Sequence, residues 1–288
     1  MQGSCGVATF RTSDGVEIRY EVVGDVGPTV FVCHGGPNNI CDTLIRDLRP
    51  LQETCTLVFH DYRGSGRSGT ALAESYRFDR LANDVDELRR HLAFQAVSVL
   101  AHSMGGFVAL QFALRHEHAT ARLALVGTTP CGALRPMAIP VLRALGPLRT
   151  AKALALAARF LVLWGWRPPS PARTKAMYAP MSVTQEARPE LRALVSRAHP
   201  ELPVQNDNAP HLMQELGSLD LRRELASIAC PVLVLYGSRD AVMVAGGEML
   251  RTLLPGSEVI VLDDVGHEPF IEAAPETFAA LHSFLCQG

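Results

Sequence analysis

Residues 96–106 read Ala-Val-Ser-Val-Leu-Ala-His-Ser-Met-Gly-Gly, an apolar, β-branched run that breaks at Ser103 and continues in a helical pattern. A serine between strand and helix in this way sits on a sharp, strained turn that presents its hydroxyl, a nucleophile elbow. Strand and helix approach closely there, so the residues two before and two after the serine must be small. Here they are Ala101 and Gly105. Alanine stands where glycine is usual, but the position needs smallness more than positive φ, and one extra methyl is expected to fit. A serine that only capped the following helix would account for Ser103 and leave the pair Gly105 and Gly106 unexplained.

A serine becomes a nucleophile when a base takes its proton and a third group orients that base. On such a turn the partners follow in the order Ser, Asp or Glu, His, each on a loop after a strand. The run Pro-Val-Leu-Val-Leu-Tyr-Gly over 231–237 reads as a buried parallel strand, and Asp240 follows it. The run Ser-Glu-Val-Ile-Val-Leu-Asp over 257–263 reads as the next strand, and His267 follows it. Both residues therefore leave the carboxyl ends of neighbouring strands, where open α/β sheets place their sites. Singly, Asp240 also reads as the cap of a helix from Val242, and His267 as one of ten histidines. Together with Ser103 they read as a catalytic triad. Asp263 and Asp264 are nearer His267 along the chain, but the strand that leads to His267 directs their side chains elsewhere.

Attack on a carbonyl also requires donors for the oxyanion. One is the backbone N–H of Met104, directly after the nucleophile. The other is expected from the loop after the strand Thr-Val-Phe-Val-Cys (29–33), which ends in His34-Gly-Gly-Pro37. Gly36 is that second donor, since glycine lets the backbone approach a substrate and leaves its N–H open. His34 could pass for a second base; because it precedes the glycines, its ring is expected to tie down the loop.

Strands are predicted near 7–12, 16–23, 29–33, 55–60, 96–102, 121–127, 231–236 and 257–262. Phe78, Leu81, Val85, Leu88 and Leu92, at spacings of three and four, predict an amphipathic helix. Other helices follow Ser103 and start at Pro275. The pattern implies an α/β fold, a mostly parallel sheet with helices on both faces. The alternation stops at Cys131, and no strand run appears before Gly217. A stretch that long is too large for a loop. It predicts a core of residues 1–130 and 218–288 with a helical cap, 131–217, inserted over the site. Within the cap, 153–166 is apolar but interrupted by Arg159 and too short to span a bilayer. A buried cap helix is expected there, with an acyl or aromatic pocket wall as the sharper alternative.

A chain of 288 residues suits one domain with an insertion. Its net charge of −2, from 27 basic and 29 acidic residues, gives no electrostatic reason to expect nucleic acid or an anionic membrane as partner. A small-molecule substrate is expected instead. No signal peptide is visible at the start, so a cytoplasmic place is the default. Seven cysteines include no C-x-x-C pair, and Cys33, Cys55 and Cys230 read as small buried hydrophobes. No Cys/His spacing suggests zinc and no Gly-rich loop suggests a nucleotide, so no cofactor is expected.

His34-Gly-Gly-Pro37, Asp61-Tyr-Arg-Gly-Ser-Gly-Arg-Ser68, Ala101-His-Ser-Met-Gly-Gly106, Gly237-Ser-Arg-Asp240 and Gly266-His267 together resemble the α/β-hydrolase superfamily. The first two pieces are most similar to its proline-iminopeptidase-like branch. Asn38 departs from the glycine that follows the proline in that branch, and the elbow itself is nearer to esterases, lactonases and carbon–carbon hydrolases. Asp61 follows a strand and could pose as the catalytic acid, but with Arg63 it is expected to form a hydrogen-bonded turn at the floor of the site. The resemblance implies a serine hydrolase that cleaves an ester, lactone or related acyl bond of a small, largely apolar substrate through an acyl-enzyme. A proline-iminopeptidase-like aminopeptidase or amidase is the alternative, and it would need a cap carboxylate for the substrate ammonium. Glu186, Glu190, Glu201, Asp207 and Glu215 are the acids on offer. A carbon–carbon bond hydrolase or a non-enzymatic ligand-binding protein stands further off.

Overall fold

A computed structural model describes residues 6–36, 40–132, 134–164, 190 and 205–286. The predicted strands appear within a residue or so of their expected bounds. They are β1 (Gly6–Arg11), β2 (Glu17–Val23), β3 (Thr29–Cys33), β4 (Thr56–His60), β6 (Val97–His102), β7 (Thr120–Val126), β9 (Val232–Gly237) and β10 (Glu258–Leu262). They form one sheet in the order β1-β2-β4-β3-β6-β7-β9-β10. Only β2 runs against its neighbours; from β4 to β10 every pairing is parallel. Two short strands, β5 (Ser65–Gly66) and β8 (Gln205–Asn206), pair separately. The second lies in the stretch where no strand was expected.

Among the described residues the helices are α1 (Cys41–Asp47), α2 (Phe78–His91), α3 (Gly105–Arg115), α4 (Leu134–Trp164), α5 (Ala209–Leu216), α6 (Ala241–Leu253), α7 (Pro269–Glu272) and α8 (Ala274–Leu285). Strand residues alternate between two apolar layers. Phe31, Val99, Leu125 and Val234 pack with Phe78, Leu81, Val85 and Leu88 of α2 and with the inner face of α3. Val32, Leu100, Ala124 and Leu235 pack on the other side with Leu44 of α1 and Leu281 and Phe284 of α8. Burying both faces is why the central strands are continuously apolar.

The chain leaves and re-enters the sheet region at one place. Cys131 bridges Asp220, Leu221 N–H donates to Pro130 O at 3.0 Å, and Gly132 N–H donates to Leu219 O at 3.0 Å. Much of the expected cap, 165–189 and 191–204, lies outside the described residues. Its first part is α4, which breaks at Gly146 (φ 70°), with Pro147 opening the second half. The expectation of a buried helix from Ala153 is corrected here. None of residues 151–163 is fully buried, and Leu154 and Leu161 are 60% and 66% exposed. An apolar composition predicts a helix that needs cover, but not that the fold supplies it. Among the described residues no helix is long and apolar enough to cross a membrane. Cys33 and Cys55 are buried as expected, whereas Cys230 is only half-buried.

Candidate active site

Ser103 has φ 54°, left-handed backbone that costs a non-glycine residue about 1–3 kcal/mol. Surrounding bonds and close contacts hold it there. Ser103 N–H donates to Val126 O at 3.0 Å, continuing the β6–β7 ladder through the turn. A Cβ on Gly105 would lie 2.2 Å from Cys33 O, and one on Gly106 would lie 2.0 Å from Thr128 Oγ1. The two glycines thus let α3 press against β3 and the loop after β7. Ala101 is fully buried in β6 between Cys33 and Leu125, and its methyl is accommodated as expected.

The loops after β9 and β10 bring the other two residues to Ser103. Ser238 N–H donates to Leu262 O and Arg239 N–H to Val265 O, binding the loops together. Ser103 Oγ donates to His267 Nε2 at 3.0 Å, and His267 Nδ1 donates to Asp240 Oδ2 at 2.5 Å; these tautomer roles follow from the network. Asp240 is fully buried, and its Oδ1 accepts from Val242 N–H and Met243 N–H, each at 3.1 Å. Both readings of Asp240 therefore hold. One oxygen caps α6, which orients the other at the imidazole. Asp263 accepts from Ser238 Oγ and Asp264 pairs with Arg239, so both carboxylates have partners other than the ring.

Burial pulls the His267 pKa down, but the Asp240 carboxylate opposes it by charge and hydrogen bond. With Glu268 and Glu272 adding to Asp240, the net shift is upward from the ordinary 6.5. Glu272 is a residue that sequence reasoning missed. It is buried, and its two oxygens accept from the N–H groups on either side of the histidine, Gly266 at 3.0 Å and Glu268 at 3.1 Å. His102 was also missed: its Nε2 donates to the backbone carbonyl of His267 at 3.0 Å. An acid five residues after the histidine, in the first helical turn beyond it, was the available signal for Glu272.

Met104 follows the serine at the N-terminus of α3, and Gly36 (φ 48°) follows Gly35 in the loop after β3. A Cβ on Gly35 would come within 2.9 Å of Ser103 Cβ, so this loop lies against the serine. Among the described residues neither the Gly36 nor the Met104 N–H has a backbone partner. His34 is buried and its Nδ1 donates to Gly35 O at 2.9 Å, while Tyr62 stacks on its ring and donates to His34 O at 3.0 Å. Burial lowers its pKa, which keeps the ring neutral. The ring ties down the glycine loop, as expected.

Asp61 accepts from Cys41 N–H at 2.9 Å and Arg67 N–H at 3.1 Å, a turn-forming role. Its expected partner Arg63 is a correction. The Arg63 guanidinium instead grips Asp84 at 2.7 Å and Asp14 at 2.8 Å, tying α2 to the β1–β2 turn. Of the cap acids, Glu215 accepts from Phe78 N–H at 2.9 Å and so caps α2. Glu190 and Asp207 are exposed, and Glu186 and Glu201 lie outside the described residues. His102, His267 and Glu268 bring potential metal-ligand atoms within 4.8 Å of one another. Both ring nitrogens of His267 already face Ser103 and Asp240.

A family model described as the alpha/beta hydrolase fold matches residues 28–274. The chain belongs to the α/β-hydrolase fold family. It is a hydrolase, with both esterases and proline iminopeptidases among its relatives. It is 32% identical, over 70% of its length and 78% of the relative's, to a pimeloyl-acyl-carrier-protein methyl ester esterase of Aromatoleum aromaticum. It is 24% identical to a proline iminopeptidase of Heyndrickxia coagulans, covering 90% of this chain and 91% of that one. The fold matches a proline iminopeptidase-related protein of Thermus thermophilus with TM-score 0.76 at 24% identity, over 98% of both chains. The expected superfamily and its proline-iminopeptidase-like branch are thus both met among its relatives.

Proposed function

We propose that the protein is a serine hydrolase cleaving an ester, lactone or related acyl bond of a small, largely apolar substrate. The observation that carries this reading is the line Ser103 Oγ, His267 Nε2, His267 Nδ1, Asp240 Oδ2, at 3.0 and 2.5 Å, on a serine with φ 54°. His267 takes the serine proton as Ser103 attacks the carbonyl, and Asp240 holds the imidazole tautomer and stabilises the imidazolium. The N–H groups of Gly36 and Met104 bind the oxyanion. The imidazolium returns its proton to the leaving group, and water, deprotonated by the same histidine, releases the acyl group. The insertion over 131–217 acts as the cap. The reaction as written uses no cofactor.

Among the described residues, the places of the cap acids favour the ester reading over aminopeptidase chemistry. An ammonium taken out of water requires a carboxylate, and Glu215 is spent on capping α2 while Glu190 and Asp207 face solvent. The 32% identity to a methyl ester esterase points the same way. The test is a panel of short acyl p-nitrophenyl esters and lactones against prolyl and alanyl amides, with Ser103→Ala as the blank. Ester or lactone turnover that disappears in the variant is expected. Strong preference for free-amine amides would replace this reading with the aminopeptidase one.

A further inference from the structure

Charge is distributed along this chain in blocks. Between Glu117 and Glu186 there are 68 residues without a single aspartate or glutamate, and nine arginines and lysines. The other 220 residues hold 18 basic and 29 acidic side chains. The net charge of −2 therefore conceals a strongly cationic segment in an otherwise acidic protein. Helix α4 lies wholly within that segment.

The outward face of α4 combines this charge with exposed aliphatic side chains. Leu148, Lys152 and Arg159 fall at helical spacing along one edge of the exposed face, Leu154 and Leu161, seven residues apart, stand on its other edge, and Ala151, Ala155, Ala158 and Val162 are exposed between them. Leu148 is 86% exposed, and Ile139 in the first half of the helix is 61% exposed. Arg143, Lys152 and Arg159 are exposed, and none of them forms an ion pair with a described residue. A single exposed leucine means nothing, but a contiguous apolar face rimmed by one sign of charge marks an interaction surface.

We propose that the outer face of α4 docks on an anionic lipid bilayer, leucines in the interface and cations on the headgroups. The alternative occupant, an acidic protein, is disfavoured by the side chains themselves. Protein hot spots are enriched in Trp, Tyr and Arg and poor in leucine, whereas this face exposes leucines beside its cations, as helices lying in a bilayer interface do. The complete lack of acid in α4 fits a surface of uniform negative charge. The inference concerns binding alone and is independent of the reaction at Ser103.

Co-sedimentation of the full chain with phosphatidylcholine vesicles, with and without phosphatidylglycerol, tests it. Binding is expected only to the anionic vesicles and is weakened by high salt. Lys152→Gln with Arg159→Gln lowers the partition about thirtyfold, at the usual contribution of a cation near an anionic surface. Leu148→Gln with Leu161→Gln lowers it as well, with melting curves confirming that the variants are folded. No binding to anionic vesicles, equal binding to neutral ones, or a charge variant that binds as well as the parent overturns the proposal. So does a dimer in light scattering that Leu148→Gln dissociates, since the face would then be an interface between copies. Should the variants unfold, anionic-vesicle binding of the unaltered protein that salt does not weaken overturns it equally.

Discussion

In the sheet, Val30, Val32, Leu123, Leu125, Leu233 and Leu235 are all covered, one layer above and one below. In α4 the same kinds of side chain, Leu148, Leu154 and Leu161, stand mostly in solvent. The two regions are equally apolar to read but differ in what bounds them. A parallel strand is flanked by strands and roofed by crossover helices, so its apolar residues are buried by the topology itself. A helix in an excursion has one neighbour at most on its outer side, and its apolar residues are covered only if something else binds there. The groups proposed to react follow the first kind of region. Ser103, Asp240 and His267 all hang from carboxyl ends of sheet strands, at β6, β9 and β10.

That contrast can be broken at its chemical end first. Asp240→Asn keeps an acceptor for the α6 cap but stabilises the wrong imidazole tautomer. It should lower kcat on the order of 10⁴-fold, the handicap of the same change in a serine protease. Asp264→Asn, which weakens the pairing with Arg239, should cost less than about tenfold. A series in which Asp264 is the crippling position would move the acid off β9.

The packing half of the contrast predicts two unequal truncations. Leu123→Ala opens a cavity in the buried sheet and should cost about 2–5 kcal/mol in denaturant unfolding. Leu154→Ala on the outer face of α4 should stay within about 0.5 kcal/mol. Equal losses would mean that α4 is packed as the core is. Between these lies Glu272→Ala, which leaves the amides of Gly266 and Glu268 without acceptors and should cost about 1–3 kcal/mol. It should also slow hydrolysis, because those amides bracket His267.

The smallest effect is a shift in a pH profile. Hydrolysis needs neutral Nε2 on His267, and the raised pKa keeps the ring protonated to higher pH than an ordinary imidazole. The acid limb of kcat/KM should therefore lie above about 6.5. Glu268→Gln removes one of the carboxylates that favour the imidazolium, so the limb should move to lower pH in that variant. A limb that does not move would show that Glu268 leaves the base untouched.

Most of the sheet was legible because buried parallel strands are short, continuous apolar runs between turn residues. The meeting of Ser103, Asp240 and His267 was legible because each follows such a run. Glu272 and His102 were not, since backbone amides and carbonyls as partners leave no mark on spacing. Arg63 was paired with the wrong acid for a related reason: Asp14 and Asp84 are distant in sequence and meet it only through the packing of α2 on the β1–β2 turn. The β5–β8 pairing, two residues on each side, is too short for any period to show. The exposure of α4 was misread because composition reports appetite for burial, whereas burial itself depends on neighbours.

The central claim is that Ser103 is the nucleophile and His267 its base. Intact-mass spectrometry after treatment with a fluorophosphonate tests it directly, with peptide mapping of the adduct. The expected result is one phosphonyl group per chain on Ser103, none in Ser103→Ala, and labelling slowed by orders of magnitude in His267→Ala. An unlabelled parent protein, or a label on another residue that persists in Ser103→Ala, would contradict the account.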